Sequence, residues 1–208
     1  MEDVLAVYQL PSDPTHPVVC LDEASKQLIG AVAIPVPAAP GRAARIDYED
    51  ERKGTCNLFL RCEPLRGWRQ VRVTERRPRH DWAEGIQELV DVHDPTVATI
   101  RLVMDNLTTH DGASLYEAFP PAEARRLWDR REVHPTPKHG SWLDMAETEL
   151  SILNRQCLNR RIDEMAEIRR EVGPWEEDRN ERECRIHWTF TLAAARVKLK
   201  KLYPSIKG

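Results

Sequence analysis

Apolar positions follow a two-residue period through much of the first half of the chain and a three-and-four spacing through the last third. Val18-Val19-Cys20-Leu21-Asp22 is an apolar run that closes on an acid, and it predicts a strand. Leu28 to Ile34 predicts a second, entered through a polar connection at 23–27 and stopped by Pro35, Pro37 and Pro40. Cys56, Leu58, Leu60 and Cys62 recur at every other residue and share one face of a third. Trp68 to Val73 alternates apolar with polar or basic residues, as a strand with one wet face does. These read as consecutive antiparallel strands joined by short turns.

Elsewhere the pattern turns helical. Asp81 can cap a helix with Glu84 three residues on and Ile86, Leu89 and Val90 in its body, reaching towards His93. Thr99 to Met104 is almost wholly apolar, a strand covered on both faces, and it ends at Asp105. The helical region that follows breaks at Pro120-Pro121 and resumes from Ala122 to Asp129. Val133 to Lys138 is extended, because each proline there pushes its predecessor out of the helical region. Leu143, Ala146, Leu150, Leu153 and Cys157 form a helical stripe, for which Ser141 is the expected cap and Asp144 the reciprocal acid. Gly173-Pro174 is expected to separate this region from Trp175 to Glu183, and Thr191 to Tyr203 reads as a closing basic helix. Residues 1–17, with Pro11, Pro14 and Pro17, read as an irregular lead-in to a domain over 18–208.

Composition narrows the class. With 208 residues and 41% hydrophobic content the chain can bury one sizeable core, and 31% charged residues with no long apolar run argue against a membrane span. Acids at the N-terminus do not suit an export signal, so the expected location is the cytoplasm. Five scattered cysteines without a Cys-x-x-Cys pair read as reduced, buried thiols. A net charge of −3 does not mark a nucleic-acid binder, so any DNA contact must come from local basic patches.

The chemistry rests on acids. Asp22 and Asp105 each close an apolar strand, where an isolated carboxylate is costly unless paired, protonated or metal-bound. An Asp after a strand also commonly caps a turn. A third acid comes from the helix after His139-Gly140-Ser141-Trp142, where Glu147 and Glu149 flank the apolar stripe equally at roughly 100° per residue. Periodicity leaves both open. Oxygen ligands of this kind suit Mg2+ or Mn2+, and two such ions would assist both attacking and leaving oxygens of a phosphoryl transfer.

Three stretches together, Val19-Cys20-Leu21-Asp22-Glu23, Val103-Met104-Asp105-Asn106-Leu107-Thr108-Thr109-His110 and Thr136-Pro137-Lys138-His139-Gly140-Ser141-Trp142-Leu143-Asp144-Met145-Ala146-Glu147, closely resemble the insertion sequence 630 family of bacterial transposases, relatives of mariner elements. The resemblance continues through Pro120-Pro121, Arg155-Gln156-Cys157-Leu158, Trp175, Arg179-Asn180 and Trp188 to Leu202-Tyr203-Pro204. It implies a ribonuclease-H-like α/β fold, a mixed five-stranded sheet flanked by helices with a helical C-terminal part. It also implies an Asp-Asp-Glu triad on Asp22, Asp105 and Glu147, holding two Mg2+ or Mn2+ ions. Asn106, His110, Ser141, Trp142 and Asp144 would support the triad. The family typically has asparagine at Asp144 and an aromatic at Asp50, and its members usually begin with helix-turn-helix modules.

The implied activity is metal-dependent cleavage at transposon ends followed by strand transfer into target DNA. The rivals are another nuclease on the same fold and a catalytically silent DNA-binding remnant. Lys138 and His139, before the catalytic helix, and Arg76, Arg77 and Arg79, after a strand, are the candidate DNA contacts. Arg125-Arg126, Arg130-Arg131 and Arg160-Arg161 are further basic clusters, while Trp142, Trp175 and Trp188 are assigned to packing. Expected partners are double-stranded DNA, a second copy of the chain on that DNA and a separate upstream helix-turn-helix polypeptide.

Overall fold

The computed structural model describes residues 1–32, 37–43, 49–75, 78–105, 111–138 and 140–203. One five-stranded sheet organises them: β1 (Val18–Ala31), β2 (Asp50–Glu63), β3 (Trp68–Thr74), β4 (Ile100–Met104) and β5 (Arg131–Pro135), in the order β3-β2-β1-β4-β5. β1, β2 and β3 are antiparallel neighbours, whereas β4 runs parallel to β1 and β5 parallel to β4. The sheet is mixed, as expected. Parallel neighbours need a crossover that covers a face, and helices α2 (Pro78–Glu88), α3 (Gly112–Ala118) and α4 (Pro121–Asp129) form the crossovers into β4 and β5.

Side-chain alternation sorts the core into two layers. Cys20, Cys56, Leu58, Leu60, Cys62 and Val103 face one cluster, which is closed by α1 (Glu2–Tyr8), α5 (Met145–Leu153), α6 (Met165–Glu181) and α7 (Leu192–Lys198). Val19, Leu21, Phe59, Leu102 and Met104 face the other, with Trp82 and Ile86 of α2. The shared face foreseen for Cys56, Leu58, Leu60 and Cys62 is thus present.

Several expectations are corrected. The polar stretch 23–27 does not interrupt β1, because its backbone pairs with β2 from Cys20↔Cys62 to Leu28↔Gly54 and continues beyond a bulge at Leu28/Ile29. Pairing outweighs the polar side chains, which sit part-exposed, and the second strand expected from Leu28 is the far end of the first. Its last expected residues, Ala33 and Ile34, lie outside the described residues. Residues 2–8 are helical: Val4, Leu5 and Val7 are buried, and the three prolines begin only after this helix has ended. α2 starts at Pro78, so Asp81 lies within its first turn instead of capping it. The closing helix is shorter than expected, with Thr191 capping α7 through its hydroxyl.

The largest departure is α6, which runs unbroken through Gly173-Pro174. An internal proline forfeits a backbone hydrogen bond and typically costs about 3 kcal/mol in a helix interior. Tertiary contacts along β3 offset that loss. The Arg169 guanidinium donates to the Val73 carbonyl (3.1 Å), Glu176 accepts from the Val71 N–H (2.6 Å), and Asn180 bonds both backbone groups of Arg69 (2.8 Å each). The eleven helical steps from Arg169 to Asn180 rise about 16 Å, close to the roughly 14 Å of the four strand steps from Val73 to Arg69. One continuous helix therefore meets every second residue of an edge strand that would otherwise present unpaired backbone. Trp175 is buried beside it and donates to Gln156 at 2.7 Å.

Among the described residues, no helix is long and apolar enough to cross a membrane.

Candidate active site

Two of the three acids are brought together by strand register. Leu21 pairs with Met104 across the parallel β1/β4 ladder, so Asp22 and Asp105 follow side by side. Alternation turns both towards the layer of Cys20 and Val103, the face covered by α5. Asp22 is fixed locally, its Oδ1 accepting from the Glu23 N–H at 2.8 Å. Both carboxylates are half-buried at this face.

The third acid depends on how α5 begins, and here the cap differs from expectation. Ser141–Leu143 form a separate tight turn, with the Asp144 N–H donating to the Ser141 carbonyl at 2.7 Å. Asp144 then takes an extended backbone and caps α5 itself, its Oδ1 accepting from the Ala146 N–H at 2.9 Å. Ser141 is displaced from the cap because the tight turn uses the residues between it and the helix. Its hydroxyl instead approaches Glu147 Oε1, at 3.5 Å.

Glu147 and Glu149, equivalent by periodicity, are separated by what surrounds them. Glu149 is fully buried and paired with Arg179 (2.8 Å) and Arg69 (3.5 Å). Arg69 is itself buried and donates to the carbonyls of Gly67 and Arg179, both at 2.7 Å, and to that of Cys184. Glu149 is thereby committed to holding α5, α6 and β3 together. Glu147 is exposed in the first turn of α5, where a carboxylate is also favoured by the helix dipole.

Asp144 joins the acids. It is 2% exposed, and its Oδ2 has no hydrogen-bond partner. Burial pushes its carboxyl well above the usual range, and the neighbouring Cys20 sulfur and the Asp22 and Asp105 carboxylates push the same way. Asp22, Asp105 and Asp144 thus gather where β1, β4 and the start of α5 meet, and Glu147 follows in the exposed first turn of that helix. The donor set is carboxylate oxygen, which fits a hard divalent cation bound through a few acids with water and substrate phosphate completing its shell. The Asp22, Asp105 and Glu147 oxygens do not close to within 4.8 Å of one another, the spacing that Glu63, His93 and Asp94 reach elsewhere in the described residues.

A stability prediction follows from Asp144. The unfolded chain releases this proton in the ordinary carboxylate range, near 3.8, while the folded chain retains it, so this residue lowers stability progressively as pH rises above that value. Asp144→Asn removes the titration and keeps an oxygen for the cap. Its Tm should exceed that of wild type by a few degrees at neutral pH and converge with it in acid. A thermal melt across pH in which the variant is never the more stable would contradict this.

The remaining expected site residues divide. Lys138 is exposed just ahead of the Ser141 turn. Arg79 is ion-paired with Glu117, and Arg125, Arg126, Arg160 and Arg161 pair with Asp129, Asp91 and Glu123, Glu167 and Glu171, and Asp50 respectively. Arg131 sits over the rings of Trp82 and Trp128, at 5.0 and 4.1 Å from their centroids. Arg76, Arg77, Asn106, His110 and His139 lie outside the described residues. Trp142, assigned to packing, is 43% exposed and leans on Trp188 and Phe190, at 6.3 and 5.8 Å between ring centroids. The tight turn carries it outwards as Leu143 takes the core position.

One positioning residue was missed. The Tyr8 hydroxyl donates to the Leu143 carbonyl at 2.8 Å and lies 3.4 Å from Cys20 Sγ, clamping the turn before α5 to β1. The apolar set Val4, Leu5 and Val7 was the signal for its helix, masked by the prolines downstream.

The family model of DDE superfamily endonucleases matches residues 17–169, and the chain belongs to that family. Among solved structures, it resembles the Mos1 mariner paired end complex with Mn, with a TM-score of 0.57 and 14% identity over 87% of this chain and 55% of that one. The Mos1 strand transfer complex is similar, at TM-score 0.56 and 13% identity over 86% and 54%. The shared fold is the ribonuclease-H-like one that the sequence resemblance implied. A shorter match, 31% identical over 77 residues, is to the SsrA-binding protein of Mycobacterium leprae, covering 37% of this chain and 44% of that protein. The chain thus spans less than half the length of the curated relative it matches and little over half of each Mos1 chain.

Proposed function

We propose that this chain is a transposase catalytic domain that cleaves DNA at transposon ends and joins the freed 3′-hydroxyl to target DNA. The observation that carries this reading is the β1/β4 register, which sets Asp22 and Asp105 side by side on the sheet face that α5 covers, with Glu147 in the first turn of that helix. Family membership supports nuclease chemistry, and DNA complexes of the Mos1 fold support a double-stranded DNA substrate. Asp22, Asp105 and Glu147 would hold two Mg2+ or Mn2+ ions, whose chemistry is to stabilise the attacking and leaving oxygens.

The chain's own residues supply the frame. β1 and β4 fix two acids at neighbouring strand positions, while the Asp144 cap and the Tyr8 clamp fix the start of α5 and with it Glu147. Exposed Lys138 stands where a phosphate approaching that helix start would pass. Water and the 3′-hydroxyl act as alternate nucleophiles at this single site. The protein acts as a homodimer on DNA at the bacterial nucleoid, with end recognition supplied by a separate helix-turn-helix polypeptide.

The test is cleavage of labelled element ends with Mg2+ or Mn2+, with any upstream helix-turn-helix polypeptide added. Wild type should cleave and Asp105→Ala should not. Failure of wild type to cut, or cutting that survives Asp105→Ala, overturns the reading.

A further inference from the structure

A second polar cluster lies on the opposite face of the sheet from Asp22 and Asp105. Glu63 ends β2 beyond the Cys20↔Cys62 pair and, by alternation from Cys62, faces the layer of Phe59 and Leu102. His93 and Asp94 come from the far end of the helix begun by α2, where Leu89–His93 form a widened π turn and the Asp94 N–H donates to the Leu89 carbonyl at 2.9 Å. Such turns are frequent at functional sites, because they redirect side chains at the expense of regular helix. Trp68 stacks on the His93 ring, with 3.5 Å between centroids and 16° between planes, and so fixes its orientation.

The side chains converge. One donor atom from each of Glu63, His93 and Asp94 lies within 4.8 Å of the other two, and His93 Nε2 is 2.6 Å from Glu63 Oε1. Asp94 is 6% exposed, yet its Oδ2 has no hydrogen-bond partner. The nearest cation, Arg66, reaches Glu63 at 3.1 Å but Asp94 only at 4.0 Å, and its own side chain is 59% exposed. Arg66 therefore leaves the buried Asp94 oxygen unsatisfied. A buried acceptor without a donor is costly, and burial together with the Glu63 charge raises the proton affinity of Asp94. The cluster opens on a cavity of about 610 Å³, also lined by Asp13, His16 and Arg185, from which water can reach it.

We propose that Glu63, His93 and Asp94 form a site for a divalent cation of the zinc class, separate from the catalytic acids and independent of the transposase reading. One imidazole nitrogen with two carboxylate oxygens is a donor set that suits zinc better than magnesium, with water from the cavity as fourth ligand. Binding requires neutral imidazole: His93 Nε2 turns its lone pair to the ion, any proton it carried passes to solvent, and Arg66 moves outwards. The bound ion joins the end of β2 to the end of the α2 crossover, so its effect is to stabilise the fold.

The test is calorimetric titration of the chelator-stripped full chain with ZnCl2, in excess Mg2+ to occupy oxygen-only sites, beside thermal melts with and without zinc. The Asp105→Ala chain is titrated in parallel, so that zinc held by the catalytic acids is distinguished. Wild type and Asp105→Ala should each take up one zinc ion per chain at this site, more weakly as pH falls, and melt several degrees higher with zinc. His93→Gln and Asp94→Asn should each weaken uptake about 100-fold or more, beyond the loss of an outer-shell partner. Asp94→Asn preserves side-chain shape and decides the matter if His93→Gln fails to fold. Zinc binding that neither variant weakens, or no zinc uptake by wild type, overturns the proposal.

Discussion

Glu147→Gln should lower cleavage of element ends by about 10³-fold or more and leave Tm unchanged within a degree or so, consistent with losing one charged group from a preorganised phosphoryl-transfer site. The two halves of this expectation have separate physical origins. Activity falls because an amide of the same size cannot supply the negative charge that a divalent cation needs at this position. Stability is unaffected because the side chain is exposed and meets Ser141 Oγ only at 3.5 Å, too long to be a strong hydrogen bond. Single-turnover cleavage and a melt on the same preparation check both. If the variant retains cleavage, Glu147 is not the third ligand; if it loses cleavage together with several degrees of Tm, its role is structural.

Glu149→Ala should do the reverse at the level of the fold. Removing one member of a buried ion pair leaves the others without compensation, at about 3–5 kcal/mol, which corresponds to roughly 10 °C in Tm for a domain of this size. Two guanidiniums are affected: Arg179, paired at 2.8 Å, and Arg69, which is 1% exposed. The consequence reaches β3, since Arg69 also ties that strand to α6 through the Arg179 carbonyl. Any activity lost would return as the assay temperature is lowered below the new Tm. A near-native melt for Glu149→Ala would show that the pair contributes little and that the surrounding apolar contacts of α5 suffice. The contrast between two glutamates two positions apart is the sharpest available test of the site.

The legible parts of the site were those that local pattern can encode. Asp22 and Asp105 could be picked out because each follows an apolar run, although only Asp105 stands just past the end of its strand and β1 continues beyond Asp22 to Ala31. The shared face of Cys56, Leu58, Leu60 and Cys62 followed from a period of two alone. Less visible were features in which distant residues set local conformation. The polar stretch 23–27 looks like a connection until β2 is placed beside it, and Gly173-Pro174 looks like a break until Arg169, Glu176 and Asn180 find the backbone of β3. Local propensity opposes both outcomes, and both are decided by backbone groups that find partners only in the assembled sheet.

The start of α5 shows the same division at the scale of one turn. Sequence placed a capping residue, an acid and a tryptophan ahead of α5, and resemblance assigned the third ligand to Glu147. It could not say that Ser141 would be taken into a separate turn, that Asp144 would both cap the helix and be buried among the acids, or that Trp142 would face outwards. By itself, then, the sequence determined the shared apolar faces of the strands and the family, because these depend on short-range periodicity and on motif, and the resemblance nominated the three carboxylates. Only the tertiary structure decided which glutamate is buried in ion pairs and which is exposed. It also alone revealed Glu63, His93 and Asp94 as a cluster. Charges distant in the chain acquire their roles from burial and from one another's proximity, and both exist only after folding.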